Sequence, residues 1–526
     1  MAHLAEVSKE LELVRKGGPV AIFSRMLAAL VPLVVLYFAA LAFTEFQSLT
    51  HVANRAGPIW FVIVLARGAI NLLRYDVRLI WTPLFWLPAQ SAIFFGFGPL
   101  VLVFGNDVTR LWATTHYLSV TFEELVWANQ LSTIGVFCLL LGIFFHLRLS
   151  HYRWRDALSE ERKIRPPMSA RQVAITFIVF GGILKYLVVL PAAWGVTGIV
   201  VPGFLTNVTK LVDVGFAIMA YLSACGNSRV RTLLLIFLPI HIILSGLTFS
   251  KEELITAFLF PVLGDLMGRR SLRRFLIVII GITLVYTWSQ DFVSYGRARI
   301  FEDTGTIWKA GYGQRADIAT DFLLGEEFAR KSPDLATQME FQGWWTRLNY
   351  AGVQVAARNL YLAGVPNDSF VNAWLYFVPR IIWPEKPVII GPGWFFYERL
   401  TGNEGTFLGL SIYGDLFWLG GWATLVVGSF LVGWMFSAMS LRSMRFLRDG
   451  NYLMFPLVLL PMKAAIFAPT NFVANGIIAL VPMYLAYFLL MSIALRIIAL
   501  MPRRLVAHQK TPDRGRGIGP RQTVAH

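Results

Sequence analysis

Arg380 and Lys386 set the first chemical question. In Phe377-Val378-Pro379-Arg380-Ile381-Ile382-Trp383-Pro384-Glu385-Lys386-Pro387 an apolar, aromatic run meets a proline-rich turn that carries both cations. From Phe370 to Ile382 the run is too short to span a bilayer and reads as an interfacial or re-entrant segment. Pro379, Pro384 and Pro387 are incompatible with a helix interior, so an extended turn is expected, with the two cations projecting at headgroup depth. A lipid-linked phosphate or diphosphate suits that arrangement, because Arg grips its oxygens bidentately and Lys acts as a point charge. Snorkelling of both cations to lipid headgroups is the competing reading.

Further charge collects at the ends of apolar runs: Lys251, Glu252 and Glu253; Asp291, Arg297 and Arg299; Glu404 and Asp415. Cations at such a surface stabilise a leaving diphosphate, and a carboxylate takes the proton of an acceptor hydroxyl, which together are the needs of transfer from a polyprenyl diphosphate donor. Interfacial charges that only mark helix ends give the same pattern. Trp344, Trp345, Trp374, Trp383 and Trp394, with Phe395, Phe396 and Tyr397, offer faces for sugar rings or anchors at a membrane interface. Glu302, Asp303, Asp317, Asp321, Glu326 and Glu327 read as the solvated face of loop helices. They lack metal-ligand spacing, so neither a metal nor a cofactor is expected.

Within the apolar runs, Lys463 lies between Pro461 and Pro469 and requires a partner or a water-filled cavity. Lys210 and Asp213, three residues apart, are expected to pair. Arg67 and Lys185 are expected to snorkel or to line an interior cleft, and Asp265 lies within reach of Arg269. Gly311-Tyr312-Gly313-Gln314-Arg315-Ala316 matches a dinucleotide fingerprint only as a string, since no strand precedes it.

The elements that position these groups are membrane spans. The chain has 526 residues, of which 56% are hydrophobic and 14% aromatic, too apolar for a soluble globular protein. An all-α polytopic membrane protein is expected, with about twelve transmembrane helices. They fall at 26–44, 57–73, 79–104, 125–147, 172–195, 205–224, 232–249, 254–268, 275–291, 410–440, 451–468 and 475–499. A retained anchor, rather than a cleaved signal peptide, is expected first, because Lys9, Arg15, Lys16 and Arg25 form a long basic lead.

The net charge of +16 comes from basic clusters between spans, which report orientation rather than nucleic-acid binding. Arg74 and Arg78; Arg148 to Arg171; Arg229 and Arg231; Arg269, Arg270, Arg273 and Arg274; and Arg442, Arg445 and Arg448 follow alternate spans. Both termini are therefore expected in the cytoplasm, and the chain divides into nine spans over 1–291, a large external loop over 292–409, three spans over 410–500 and a disordered basic tail over 501–526. Cys138 and Cys225 give no disulfide framework.

Pro379-Arg380-Ile381-Ile382-Trp383-Pro384-Glu385-Lys386-Pro387, then Gly391, then Gly414-Asp415-Leu416-Phe417-Trp418-Leu419-Gly420-Gly421-Trp422 opening a span, resembles the bacterial Wzy-type polysaccharide (O-antigen) polymerases. One large loop late in a many-span chain is similar as well. The sequence departs from the family where an aromatic-Gly or Asn-aromatic-Gly pair often follows the Gly-Asp element, since Trp418-Leu419-Gly420 stands there. The resemblance implies an inner-membrane glycosyltransferase, needing no metal, that joins undecaprenyl-pyrophosphate-linked repeat units at the periplasmic face of the cell envelope. Its product would be O-antigen, capsule or exopolysaccharide, and its partners would be membrane lipids and the chain-length regulator and flippase of the same pathway. Arg380 maps onto the family's periplasmic arginines by motif, and Arg297 and Arg299 by location; Lys251 stands where such proteins often carry a basic residue. With Lys386 and Lys463 these form the expected substrate-binding set, and Glu385, Glu404 and Asp415 are the candidate bases. A flippase or other transporter of lipid-linked glycans, and an O-antigen ligase, are the alternative readings.

Overall fold

The computed structural model describes residues 2–107, 110, 118–159, 168–199, 201, 203–305, 309–324, 345–378, 382, 383, 385, 386, 392–402 and 408–500. These residues form helices and turns, and no strand occurs among them. In chain order the principal helices are α1 (Gly18–Ala42), α2 (Gln47–Tyr75), α3 (Pro83–Phe104), α4 (Phe122–Leu149) and α5 (Ala170–Ala193). They continue as α6 (Leu211–Ala224), α7 (Ser228–Gly246), α8 (Lys251–Arg269), α9 (Leu272–Thr304), α10 (Tyr312–Leu324), α11 (Ala351–Leu362) and α12 (Pro392–Thr401). The last three are α13 (Ile412–Arg448), α14 (Tyr452–Thr470) and α15 (Ala474–Ile497).

Ten of these are long and apolar enough to cross a membrane, making this a multi-pass membrane protein. The other two positions expected to span, 205–224 and 254–268, are occupied by α6 and α8. α6 has 14 residues, and α8 has 19 with charge in its first turn. The lipid-facing side of the bundle is visible in large apolar side chains that no neighbour covers, such as Leu235, Ile236 and Ile243 on α7 and Leu276, Ile280 and Leu284 on α9. α4 and α5 both start from a capping box, Thr121 with Glu124 and Ser169 with Gln172. Each box satisfies helix N–H groups that have no partner within the helix.

Two groups of helices share one hydrophobic core. In the first, α13 packs along α4, and α1 packs on α2 and α4; in the second, α6 lies between α5 and α8, with α7 and α9 outside. α14 touches both α13 and α6 and so joins the groups. The basic clusters gather at one end: Arg78 donates to the Leu158 carbonyl at 3.1 Å, and Arg448 meets the Asp156 carboxylate at 2.6 Å. The turn at 247–250, the segment 345–378 and the start of α13 lie at the other end, called here the loop end.

α9 continues without a break to Thr304, past residue 292 where the loop was expected to begin. Arg297 and Arg299 therefore sit on a helix, and its fixed pitch sends their side chains to different neighbours. α13 is broken at Gly420 and Gly421. Gly421 has φ +68°, and a Cβ there would meet the Tyr361 hydroxyl at 2.8 Å, so the break and the packing of α11 against it require glycine.

The alternation of helices places Cys225 and Ala363, both exposed, at opposite ends of the bundle. An impermeant thiol reagent should label native Cys225 from one face of the membrane, and Ala363→Cys in a Cys225→Ser background from the other. Labelling of both from one face would overturn this path of the chain.

Candidate functional site

At the loop end, three cations from separate parts of the sequence converge. Lys251 opens α8, and its Nζ donates to Gln290 Oε1 at 2.5 Å. Arg297 on α9 donates from Nε to the Phe249 carbonyl at 3.0 Å. That carbonyl is presented by a non-glycine residue with φ +47°, a strained conformation that the surrounding packing must hold. Arg347 comes from the short turn Thr346–Leu348. The turn is fixed to the second half of α3: Trp345 donates to the Phe97 carbonyl at 2.9 Å and stacks on the Phe97 ring at 5.0 Å. Gly98 makes the approach feasible, since a Cβ there would lie 2.0 Å from the Leu348 carbonyl oxygen.

Asp291 is the carboxylate beside these cations, so the corner is positively charged, and both Arg347 and Asp291 are exposed. Partial burial, together with the like charges of Arg347 and Arg297, pushes the Lys251 ammonium down to about 7, against the pull of Asp291. A multivalent anion would relieve that repulsion.

The next two residues of α8 face a different charged system. Glu253 meets Lys185 of α5 at 2.7 Å and also pairs with Lys210. Glu252 pairs with Lys463 of α14 and lies 3.8 Å from Lys210. Lys185 is buried within a wide, π-helical stretch of α5, Ile183–Val189, a distortion common at functional sites. Asp213 does not pair with Lys210 as its spacing implied. It accepts from His241 Nε2 at 3.0 Å, and the Tyr186 hydroxyl meets His241 Nδ1 at 2.6 Å.

Lys210, Glu252 and Lys463 look into a cleft of about 420 Å³ between α6, α8, α14 and α15. Its lining is polar at Thr470 and Asn471 and apolar at Leu211, Val214, Leu460 and Met483 among others. Lys463 thus has both a carboxylate partner and a cavity. Arg67 lies on α2, away from this group, while Asp265 pairs with Arg269 at 2.7 Å as expected.

The remaining sequence candidates are dispersed. Arg380 and Glu404 lie outside the described residues. Arg299 pairs with Glu302 at 3.2 Å. Lys386, expected to project, turns back instead and donates to the carbonyls of Leu375 and Val378 at 2.7 and 3.0 Å, closing the turn that carries it. Glu385 is exposed. Asp415 is fully buried, and its carboxylate accepts from Asn367 Nδ2 at 2.8 Å, Ser369 Oγ at 3.1 Å and the Val473 N–H at 2.8 Å. With three donors and no opening, it clasps the 367–369 turn to the start of α13 and the residues before α15.

Trp374 and Trp383 stack at 6.3 Å and stay exposed, as a sugar platform or interface anchor requires. Phe396 is instead buried. Arg347 was not visible in the sequence, where it is one arginine after a Trp pair. Arg315, in the discarded glycine string, is buried and donates to the carbonyls of Ala310, Leu247 and Thr248 at 2.9, 3.2 and 3.3 Å. It braces the turn that holds Phe249, and burial pushes its guanidinium down to about 10, against the pull of Tyr312. Among the described residues no three His, Cys, Asp or Glu side chains are grouped to hold a metal ion.

Asp415→Ala strands three donors in a buried site. It should lower stability by roughly 3 kcal/mol or more, read as an earlier melting midpoint in detergent, with Asp415→Asn less affected. A midpoint equal to wild type would remove the clasp from the account.

No family model matches this chain, and neither a curated protein nor a solved structure matches it.

Proposed function

We propose that this chain is a glycosyltransferase of the bacterial inner membrane that extends a glycan carried on undecaprenyl pyrophosphate, as its resemblance to the Wzy-type polymerases implies. The observation that carries the reading is the convergence of Lys251, Arg297 and Arg347 at the loop end. In this reading the basic end and both termini are cytoplasmic, by the positive-inside rule, and the loop end is periplasmic. The three cations bind the donor diphosphate and take up the charge that grows on it as the glycosidic bond breaks. The exposed Trp374 and Trp383 lie at the same end, where a glycan would be held. Arg380 stays in the proposed donor set on its motif.

The reaction transfers the anomeric carbon of one glycan to a hydroxyl of the next lipid-linked unit. The C–O bond to the diphosphate breaks, and undecaprenyl pyrophosphate leaves with the electron pair. A transport reading draws on one observation, the Tyr186–His241–Asp213 chain with its buried histidine and aspartate, since titratable chains inside spans carry protons in pumps and transporters. The two readings separate in a deletion strain: lost transfer leaves single repeat units at the outer face, and lost transport leaves them at the inner face.

Purified lipid-linked repeat units, with polymer length as readout, test the site. Arg347→Ala should cost about a hundredfold in kcat/KM, the size expected for one charge-assisted contact that tightens on the leaving group. Arg347→Lys should keep part of the activity, because it keeps the charge but not the fork. Arg299→Ala should stay near wild type, and equal activity of Arg347→Ala and wild type would remove the cationic corner from the mechanism.

A second test is pH. A lysine depressed to about 7 is charged below that value and neutral above it. Binding of a polyprenyl diphosphate glycan should therefore weaken as pH rises through 7 in wild type. Lys251→Gln should bind weakly and show no such step.

A further inference from the structure

The transferase reading leaves the proton of the acceptor hydroxyl without a destination, and the sequence candidates do not supply one among the described residues. Asp415 is sealed and saturated with donors, and Glu385 is exposed beside a turn closed by its own lysine. Glu253 has one oxygen on Lys185 and the other on Lys210. Asp213 is buried against His241.

Glu252 differs from all of these. Its side chain is 43% exposed, and it lines the cleft. Both of its lysine contacts, to Lys463 and Lys210, fall on Oε1, which leaves Oε2 without a protein partner among the described residues. It is the neighbour of Lys251, so the first turn of α8 aims a cation at the diphosphate corner and a carboxylate into the cleft. The cleft is amphipathic in the sense a lipid-linked acceptor needs. Its apolar lining suits an isoprenoid chain, and its charged and amide side chains suit the headgroup.

We propose that this cleft holds the acceptor lipid-linked glycan and that Glu252 is the catalytic base of the transfer. The proposal rests on the transferase reading. Oε2 of Glu252 takes the proton of the attacking hydroxyl while that oxygen bonds to the anomeric carbon of the donor. The donor's C–O bond to diphosphate breaks with its electron pair leaving on undecaprenyl pyrophosphate, which is held by Lys251, Arg297 and Arg347. The proton then passes to water, and Lys463 and Lys210 keep the carboxylate ionised and oriented between turnovers.

The experiment compares wild type, Glu252→Gln and the double variant Glu252→Gln/Lys463→Met, all as full-length chains in liposomes, on purified lipid-linked repeat units. A base contributes a factor of about a hundred to ten thousand, so Glu252→Gln should lose about a thousandfold in kcat while donor diphosphate binding and KM change little. A purely structural counterion gives a different pattern, because removing both members of the pair restores charge balance and with it activity. Loss of kcat that persists in the well-inserted double variant supports the base. Glu252→Gln with kcat within a few fold of wild type, or activity regained in the double variant, overturns it. Wild type that joins no repeat units overturns the transferase reading itself, which keeps the two failures distinct.

Discussion

Charge compensation at the first turn of α8 is the constraint on which the helical bundle depends. Lys251, Glu252 and Glu253 are consecutive, so the helical pitch turns them in three directions. They meet Gln290 on α9, Lys463 on α14, and Lys185 and Lys210 on α5 and at the start of α6. Taking the two carboxylates out of water costs several kcal/mol per ion unless each finds a partner of opposite sign. No single pair accounts for the arrangement, because Glu253 holds two lysines and Lys210 lies near two glutamates. Removing one member would leave an uncompensated charge inside the bundle, so four helices are held in register by one turn.

The same constraint explains why the loop end is ordered around polar clasps rather than apolar packing alone. Phe249 holds a left-handed backbone because Arg297 draws on its carbonyl and Arg315 fixes the two carbonyls before it. Asp415 does equivalent work on the other side of this end, gathering the 367–369 turn and the residues before α15. Trp345 anchors the turn that delivers Arg347. Each clasp uses a long-range hydrogen bond to bring a loop onto a helix end. The cations of the corner can then remain close to one another despite their repulsion.

Much of this was legible in the sequence at the level of the spans, and less at the level of partners. Long apolar runs between basic clusters locate helices because a bilayer admits little else. The 275–291 run locates the start of α9 but not its end. Asp291 and the arginines after it signal departure from an apolar medium, yet nothing between 291 and 304 breaks a helix, so α9 continues to Thr304. Lys210 and Asp213 fit a local pairing rule, but tertiary partners prevail: Glu253 for the lysine and His241 for the aspartate. The cost of burying Lys463 correctly demanded a partner, while its identity, Glu252, lies more than two hundred residues earlier. Arg347 had no local signal, because its importance comes from Phe97, Gly98 and Lys251, three positions distant in sequence.

Why a polar turn should be kept inside such an apolar protein follows from the same geometry. In the transfer proposed above, two lipid-linked substrates would have to approach with their diphosphates at one depth, where their like charges repel. In that proposal, a single helix start that points a cation to one flank and a carboxylate to the other separates the proposed donor and acceptor sites by one residue of pitch. It also fixes the distance between them without a flexible loop. The carboxylates lie against lysines on α5, at the start of α6 and on α14, and the corner cation donates to Gln290, so each charged group of the turn has a protein partner. Rigid placement of opposite charges on adjacent residues is the property transfer chemistry needs, since electrostatic stabilisation is effective where the groups do not reorganise as the reaction proceeds.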